Sequence, residues 1–167
     1  LEGPFLRRTL ADAPSRRVVD LGAATGEHAQ WLATEGFTVV GIEGVKERWQ
    51  VAKSRADPNV QHLIGDLGAV EAMVRGHFGA AICLGNTLPA LLGTEALSRM
   101  FIGLRRRLLP GGILVAQQVN YDRLYHRDLR ALPERRLQQG DRELVFRRVL
   151  ELRADGVVGV TESVLER

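Results

Sequence analysis

The sequence contains a single cysteine, and no long apolar segment runs through it. Cys83 alone cannot form an intrachain disulfide and cannot supply the cysteine ligands of the usual zinc sites. No stretch approaches the roughly 20 apolar residues that a membrane helix needs, and the first residues lack the pattern of a secretory signal. These absences predict a soluble, cytoplasmic protein with no membrane partner.

Aromatic residues are also scarce, at 5% of the chain, and the formal net charge is only +3. The basic residues are scattered, apart from the run Arg105, Arg106 and Arg107, which precedes Pro110-Gly111-Gly112. A helix is expected to end there, and arginines at its C-terminus complement the helix dipole. A nucleic-acid footprint would instead cluster on one face with interleaved aromatics, so we expect no nucleic-acid partner.

The chain is long enough for one domain with a sizeable core, since 45% of its 167 residues are hydrophobic. We therefore expect residues 1–167 to form a single domain. Because the sequence begins at Leu1 rather than methionine and stops at Arg167 after an apolar alternation, we expect that some terminal residues are missing. The sequence allows a homo-oligomer and does not decide the oligomeric state.

Short apolar segments alternate with helical patterns, which predicts a parallel, doubly wound α/β sheet with helices on both faces. The predicted strands are Arg17 to Leu21, Thr38 to Glu43, Val60 to Gly65, Ala80 to Leu84 and Ile113 to Val119. The predicted helices are Glu27 to Glu35, Lys46 to Ala56, Leu67 to Arg75 and Thr94 to Leu108.

The end of the chain has a different pattern. The segments Glu143 to Leu152 and Val157 to Leu165 alternate in polarity, and Asp155-Gly156 between them is typical of a hairpin turn. Five parallel strands and an antiparallel hairpin predict a seven-stranded sheet. A dehydrogenase-type sheet would continue with a further parallel strand instead.

A small-residue turn follows the first predicted strand. Gly22 and Gly26 permit positive φ, and Ala23 and Ala24 are small. The helix that follows presents free N–H groups that can donate hydrogen bonds to a ligand carboxylate. Asp20, just before the turn, suits a cationic amine and not a pyrophosphate. The combination fits S-adenosyl-L-methionine, which carries such an amine, and does not fit a dinucleotide.

Acidic residues also end the next two strands. Glu43, followed by Gly44, can accept hydrogen bonds from both hydroxyls of a ribose. Asp66, followed by Leu67, can accept a bond from an adenine amino group, although it can equally cap a helix. We therefore expect these four residues at the same ligand site.

With these residues in place, the chain resembles class I S-adenosylmethionine-dependent methyltransferases, the turn from Asp20 to Gly26 corresponding to their motif I. The resemblance implies a Rossmann-like, seven-stranded methyltransferase sheet and S-adenosyl-L-methionine as methyl donor, with S-adenosyl-L-homocysteine as product and no metal. It also implies that Glu43 binds ribose, that Asp66 contacts adenine and that the glycine turn receives the methionine part.

Three short motifs narrow the resemblance to the glycine/sarcosine N-methyltransferase branch: Glu35-Gly36-Phe37, Leu84-Gly85-Asn86 and Asn120-Tyr121-Asp122. This branch has a His-Arg pair, whose arginine holds the amino-acid carboxylate, where Gln118 and Val119 stand here. We therefore expect a small-molecule acceptor, methylated at nitrogen, in a pocket that differs from the branch pattern.

The same motifs supply the remaining site candidates. Leu84 and Gly85 are predicted to bind the cofactor, and the predicted catalytic residues are Asn86 and Tyr121. The predicted substrate residues are Asn86, Asn120, Tyr121 and Arg123. Structural alternatives stay open for Asn120, which can cap a turn, and for Tyr121, which can simply pack.

Three other functions remain open. An RNA methyltransferase acting on base amino groups typically has Asn-Pro-Pro-aromatic after strand four, whereas Asn86-Thr87-Leu88-Pro89 stands here. A donor-binding module without catalysis would keep the fold and lose the acceptor pocket. A nicotinamide-binding domain disagrees with Asp20 before the glycines and with the terminal hairpin.

Overall fold

The computed structural model describes residues 2–55, 57–91 and 93–166. The chain divides into two compact units, one reaching to Gln118 and the other beginning at Val119. Leu1 and Arg167, the ends of the predicted domain, lie outside the described residues, as does Ala56, the end of a predicted helix. The assignment of residues 1–167 to a single domain stays a prediction.

The first unit alternates strands with helices along the chain. Its strands are β1 (Arg17–Leu21), β2 (Thr38–Glu43), β3 (Val60–Ile64), β4 (Phe78–Cys83) and β5 (Leu108–Ala116). Its helices are α1 (Gly3–Leu10), α2 (Glu27–Thr34), α3 (Lys46–Ser54), α4 (Val70–Met73) and α5 (Thr94–Arg107). Short 3-10 turns lie at Leu67–Ala69 and Leu88–Ala90.

All pairs in this sheet are parallel, and the strand order is β3-β2-β1-β4-β5. The chain therefore moves outward from β1 to β3 on one side and returns to β4 on the other. In the centre, Val18 pairs with Val39 on one side and with Ala80 on the other. Loops that leave neighbouring strands in opposite directions open a crevice at the carboxyl ends of β1 and β4.

The central strands β1 and β4 are buried on both faces because helices cover both. Val19 of β1 belongs to a buried cluster with Met100 of α5, whereas its neighbour Val18 belongs to a second cluster with Leu6 of α1 and Leu32 of α2. Successive strand residues point to opposite faces, so β1 contributes side chains to a hydrophobic core on each face of the sheet. The predicted parallel sheet with helices on both faces is confirmed.

Strand β5 differs from its prediction at both ends. It begins at Leu108, directly after α5, and it ends at Ala116 rather than at Val119. Ala116 pairs with Cys83, where β4 ends, and the ladder therefore ends with it. In contrast, β1 and β2 have the bounds that the apolar pattern predicted.

The second unit contains one helix and three strands among the described residues: α6 (Tyr121–His126), β6 (Ala131–Gln139), β7 (Arg142–Leu152) and β8 (Val158–Glu166). The strands are antiparallel, in the order β6-β7-β8. The predicted hairpin is thus confirmed as β7 and β8, but the prediction of one seven-stranded sheet is wrong. A five-stranded parallel sheet and a separate three-stranded sheet take its place.

The additional strand β6 escaped prediction because its sequence lacks alternation. Pro133 cannot donate to a ladder, and the charged run Glu134-Arg135-Arg136 follows it. The register against β7 shifts between Leu132 and Arg135, which accommodates the interruption.

None of the described helices is both long enough and apolar enough to cross a membrane.

Candidate functional site

The crevice at the carboxyl ends of the parallel strands has a volume of about 410 Å³. Small-molecule sites typically occupy roughly 300–1,000 Å³. The predicted cofactor-binding residues that line it are Asp20, Gly22, Ala24, Glu43, Gly44, Asp66, Leu67, Leu84 and Gly85. Asn86, predicted as a catalytic and substrate residue, lines it too. The loops after β1, β2, β3 and β4 therefore meet around one cavity.

The turn after β1 needs its small residues for two different reasons. Gly22 has φ +79°, and a Cβ added there would clash with the side chain of Thr87. Gly26 has φ +86° and begins α2, where a Cβ would lie 3.0 Å from the His62 ring and 3.2 Å from the Ala52 Cβ. Gly22 thus lets the Thr87 side chain approach the turn, whereas Gly26 allows the start of α2 to pack against His62 and Ala52. Ala23 is buried, and its N–H donates to the Ile42 carbonyl.

Ala24 adopts the left-handed conformation with φ +48°, which is unfavourable for a residue with a Cβ. Its N–H donates to Glu43 Oε2 over 2.8 Å, and the other oxygen of the same carboxylate accepts from the Val45 N–H, also over 2.8 Å. Glu43 is only 7% exposed. This side chain therefore holds the turn after β1 and the turn after β2 together. Each carboxylate oxygen retains a lone pair for a further hydrogen bond.

Asp20 is the most unusual group in the crevice. It is 2% exposed, and its Oδ2 has no hydrogen-bond partner among the described residues. Burial, and secondarily the charge of Glu43, raise the pKa of Asp20 to about 7. Buried polar atoms are almost always partnered, so this oxygen, in a residue that lines the crevice, is suited to a cation or a hydrogen-bond donor of a ligand.

Asp66 performs the capping role that the sequence left open. Its Oδ1 accepts from the Gly68 N–H over 2.8 Å and so begins the 3-10 turn at Leu67–Ala69. The predicted helix from Leu67 to Arg75 is accordingly replaced by this turn and the four-residue α4. Asp66 also lines the crevice, and the two roles coexist at one side chain.

The turn after β4 forms the opposite wall. Gly85 and Asn86 both have positive φ, at +66° and +71°. The Thr87 hydroxyl donates to the Leu84 carbonyl over 2.9 Å, and the Gly85 N–H donates to Gln117 Oε1 over 2.9 Å. Sequence reasoning missed Thr87 and Gln117, because only the tertiary structure brings them to this turn. It also missed other residues of the lining, which include His28, Val45, Arg48 and Leu91.

The remaining predicted substrate residues lie in the second unit. Asn120 begins α6, and its Oδ1 accepts from the Arg123 N–H over 2.9 Å, which is an N-cap. Asn120 and Arg123 border a cavity of about 530 Å³ within that unit, which Leu124 and Leu132 also line. The cap that the sequence allowed for Asn120 is present. The substrate roles of Asn120, Tyr121 and Arg123 stay predictions.

Fold and crevice together define a class of protein. A parallel sheet with a switch point between β1 and β4, a small-residue turn and acidic strand ends are typical of Rossmann-like domains that bind nucleoside-containing ligands.

Comparison with known sequences refines this class. A family model described as a methyltransferase domain matches residues 18–112. A glycine/sarcosine N-methyltransferase of Aphanothece halophytica is 32% identical over 124 residues, which cover 72% of this chain and 47% of the relative. The glycine N-methyltransferase of Rattus norvegicus is 31% identical over 125 residues, which cover 64% of this chain and 41% of the relative. The chain belongs to the methyltransferase domain family, which confirms the class I resemblance. It spans a little under half the length of these relatives.

Solved structures agree on the fold. Streptomyces venezuelae DesVI matches with a TM-score of 0.74 at 16% identity, over 98% of this chain and 72% of that chain. A S-adenosylmethionine-dependent methyltransferase from Geobacter sulfurreducens, in complex with S-adenosyl-L-homocysteine, matches with a TM-score of 0.52 at 28% identity, over 69% of this chain and 46% of that chain.

Proposed function

We propose that this chain binds S-adenosyl-L-methionine in the crevice of its first unit and transfers the methyl group to a nitrogen of a small-molecule acceptor. The observation that carries the proposal is Asp20, a residue of the crevice wall whose buried Oδ2 has no hydrogen-bond partner among the described residues. The donor has an ammonium group able to occupy that position, and the residues around it fit the rest of the molecule.

The fit can be followed along the crevice. Asp20 would pair with the donor's ammonium, and the turn from Gly22 to Ala24 has no long side chain to obstruct its amino-acid part. Glu43 would accept the ribose hydroxyls with the lone pairs that its backbone contacts leave. Asp66, next to the buried Leu67, would accept from the adenine amino group at the far end. The acid and small-residue positions thus occur in the order that one nucleoside joined to an amino acid requires.

When bound, the sulfonium donor supplies a methyl group that is already activated for in-line displacement. The residues of this chain then contribute mainly by orientation. Asn86 lies in the crevice wall and is the candidate to contact the acceptor there. Asn120, Tyr121 and Arg123 remain candidate acceptor residues. An amine acceptor must arrive unprotonated for its lone pair to attack.

The choice of a small molecule and of nitrogen is supported by relatives named glycine/sarcosine N-methyltransferase, at 32% identity. Gln118 and Val119 replace the His-Arg pair of that branch, so we propose an acceptor other than glycine. The single buried cysteine is consistent with a reducing, cytoplasmic location.

Titration calorimetry with S-adenosyl-L-homocysteine tests the donor site. We expect binding to the wild-type protein and its loss in Asp20→Asn, with Asp12→Asn, an exposed carboxylate of the same unit, as matched control. Binding of a nicotinamide dinucleotide without any binding of S-adenosyl-L-homocysteine would overturn the assignment. Transfer of label from the methyl donor into a metabolite library tests the acceptor class, and labelling only of RNA or protein would reject it.

A further inference from the structure

The turn after β4 contains two consecutive residues in the left-handed conformation. Gly85 and Asn86 have φ of +66° and +71°, and both line the crevice. A residue with a Cβ reaches this left-handed region only at an energetic cost, which asparagine tolerates better than most. Because glycine adopts many conformations freely, Gly85 does not fix the turn by itself, and contacts with neighbouring side chains keep the turn in one conformation.

One such contact comes from Thr87. Its hydroxyl donates to the Leu84 carbonyl over 2.9 Å, which closes the turn on itself. The same side chain packs against Gly22 so closely that a Cβ on Gly22 would clash with it. Thr87 thus joins the turn after β4 to the turn after β1, on opposite sides of the switch point.

The second contact comes from Gln117, which directly follows β5. Its N–H donates to the Cys83 carbonyl over 3.0 Å, so its main chain is fixed to the end of β4. Its side-chain Oε1 accepts from the Gly85 N–H over 2.9 Å. Gln117 therefore supports the turn across the sheet, from the strand on the far side of β4.

We propose that Thr87 and Gln117 form a turn latch, positioning residues that hold Leu84, Gly85 and Asn86 in the shape the methyl donor requires. The inference rests on the proposed function. A turn that is fixed before binding loses little freedom when the donor arrives, so the latch increases affinity by preorganisation. It acts through the turn: Gln117 contributes by holding Gly85 and Thr87 by holding Leu84.

Paired variants test the latch on the intact chain. Gln117→Leu and Thr87→Val each remove one hydrogen bond, whereas Gln117→Glu and Thr87→Ser each keep the required oxygen. Thr38→Val, an exposed position at the start of β2, serves as control. The two readouts are hydrogen exchange of the Gly85 amide, followed by NMR, and the dissociation constant of S-adenosyl-L-homocysteine, measured by calorimetry.

We expect Gln117→Leu to accelerate exchange of the Gly85 amide, and both Gln117→Leu and Thr87→Val to weaken binding about fivefold, the factor that one hydrogen bond is worth. The oxygen-retaining variants should restore affinity, and the control should not change it. Loss of thermal stability with unchanged affinity would overturn the latch by showing a merely structural role. Failure of the wild-type protein to bind S-adenosyl-L-homocysteine would instead overturn the proposed function, and amide exchange would still report whether Gln117 holds Gly85.

Discussion

Replacing Asp20 with asparagine is expected to stabilise the ligand-free protein and to abolish binding of S-adenosyl-L-homocysteine. Because the pKa of Asp20 is raised to about 7 in the folded chain, from 3.8, the folded state holds its proton more tightly than the unfolded state does. The stability that this group contributes is therefore fully present below pH 3.8 and is lost as the pH rises to 7. Above pH 7 the ionised, buried carboxylate lowers the free energy of unfolding by an amount that no longer changes with pH.

The magnitude follows from the size of the shift. A change of about 3 pKa units at about 1.4 kcal/mol per unit corresponds to about 4 kcal/mol lost between pH 4 and pH 8. Asparagine has no charge to bury, although its amide N–H groups need partners at a cost of about 1–3 kcal/mol. We therefore expect Asp20→Asn to be more stable than the wild type by about 1–3 kcal/mol at pH 8 and to lose this advantage at pH 4.

Urea unfolding at several pH values measures this difference, with Asp12→Asn as the control for an exposed aspartate. Donor binding should follow the opposite trend, because a cationic ammonium pairs with the ionised carboxylate. The affinity for S-adenosyl-L-homocysteine should rise with pH up to about 7 in the wild type and show no such rise in Asp20→Asn. Equal stability of the two proteins at every pH, or full binding by the variant, would refute the role assigned to Asp20.

Other expectations follow from single contacts in the crevice. Glu43→Gln leaves one of two backbone N–H groups without its carboxylate partner, at a cost of about 1–3 kcal/mol. Urea unfolding should show this loss and calorimetry a weaker affinity for S-adenosyl-L-homocysteine, and a normal affinity would contradict the ribose role. Gly22→Ala imposes φ +79° on alanine and a clash with Thr87, so we expect about 2–4 kcal/mol of destabilisation in urea unfolding, with Gly140→Ala, which faces open space at a similar φ, showing less. Burial raises the pKa of Cys83 to about 12, so a thiol reagent should react at pH 8 only after unfolding in urea; rapid reaction of the native protein would show that the thiol is accessible.

Local sequence patterns were sufficient to predict much of the structure of the first unit. The bounds of β1 and β2 follow from short segments with apolar centres, as expected for strands that helices cover on both faces. Residues at the strand ends, such as Asp20, Glu43 and Asp66, could be placed at one crevice because parallel strands end on the same edge of a sheet. Strand β6 could not be predicted, since its pairing with β7 outweighs a proline and a charged run that locally disfavour a strand.

The sequence by itself determined the alternation of strands and helices, the small-residue turn after β1 and the acids at the strand ends, because each depends on neighbouring residues. Only the tertiary structure decided what those residues do to one another. Asp20 has an unpartnered oxygen and a raised pKa because β1 lies between β2 and β4, away from water. Glu43 holds Ala24, and Gln117 holds Gly85, across 19 and 32 positions of the chain. Contacts of that range exist only after the strand order has brought their loops to one crevice.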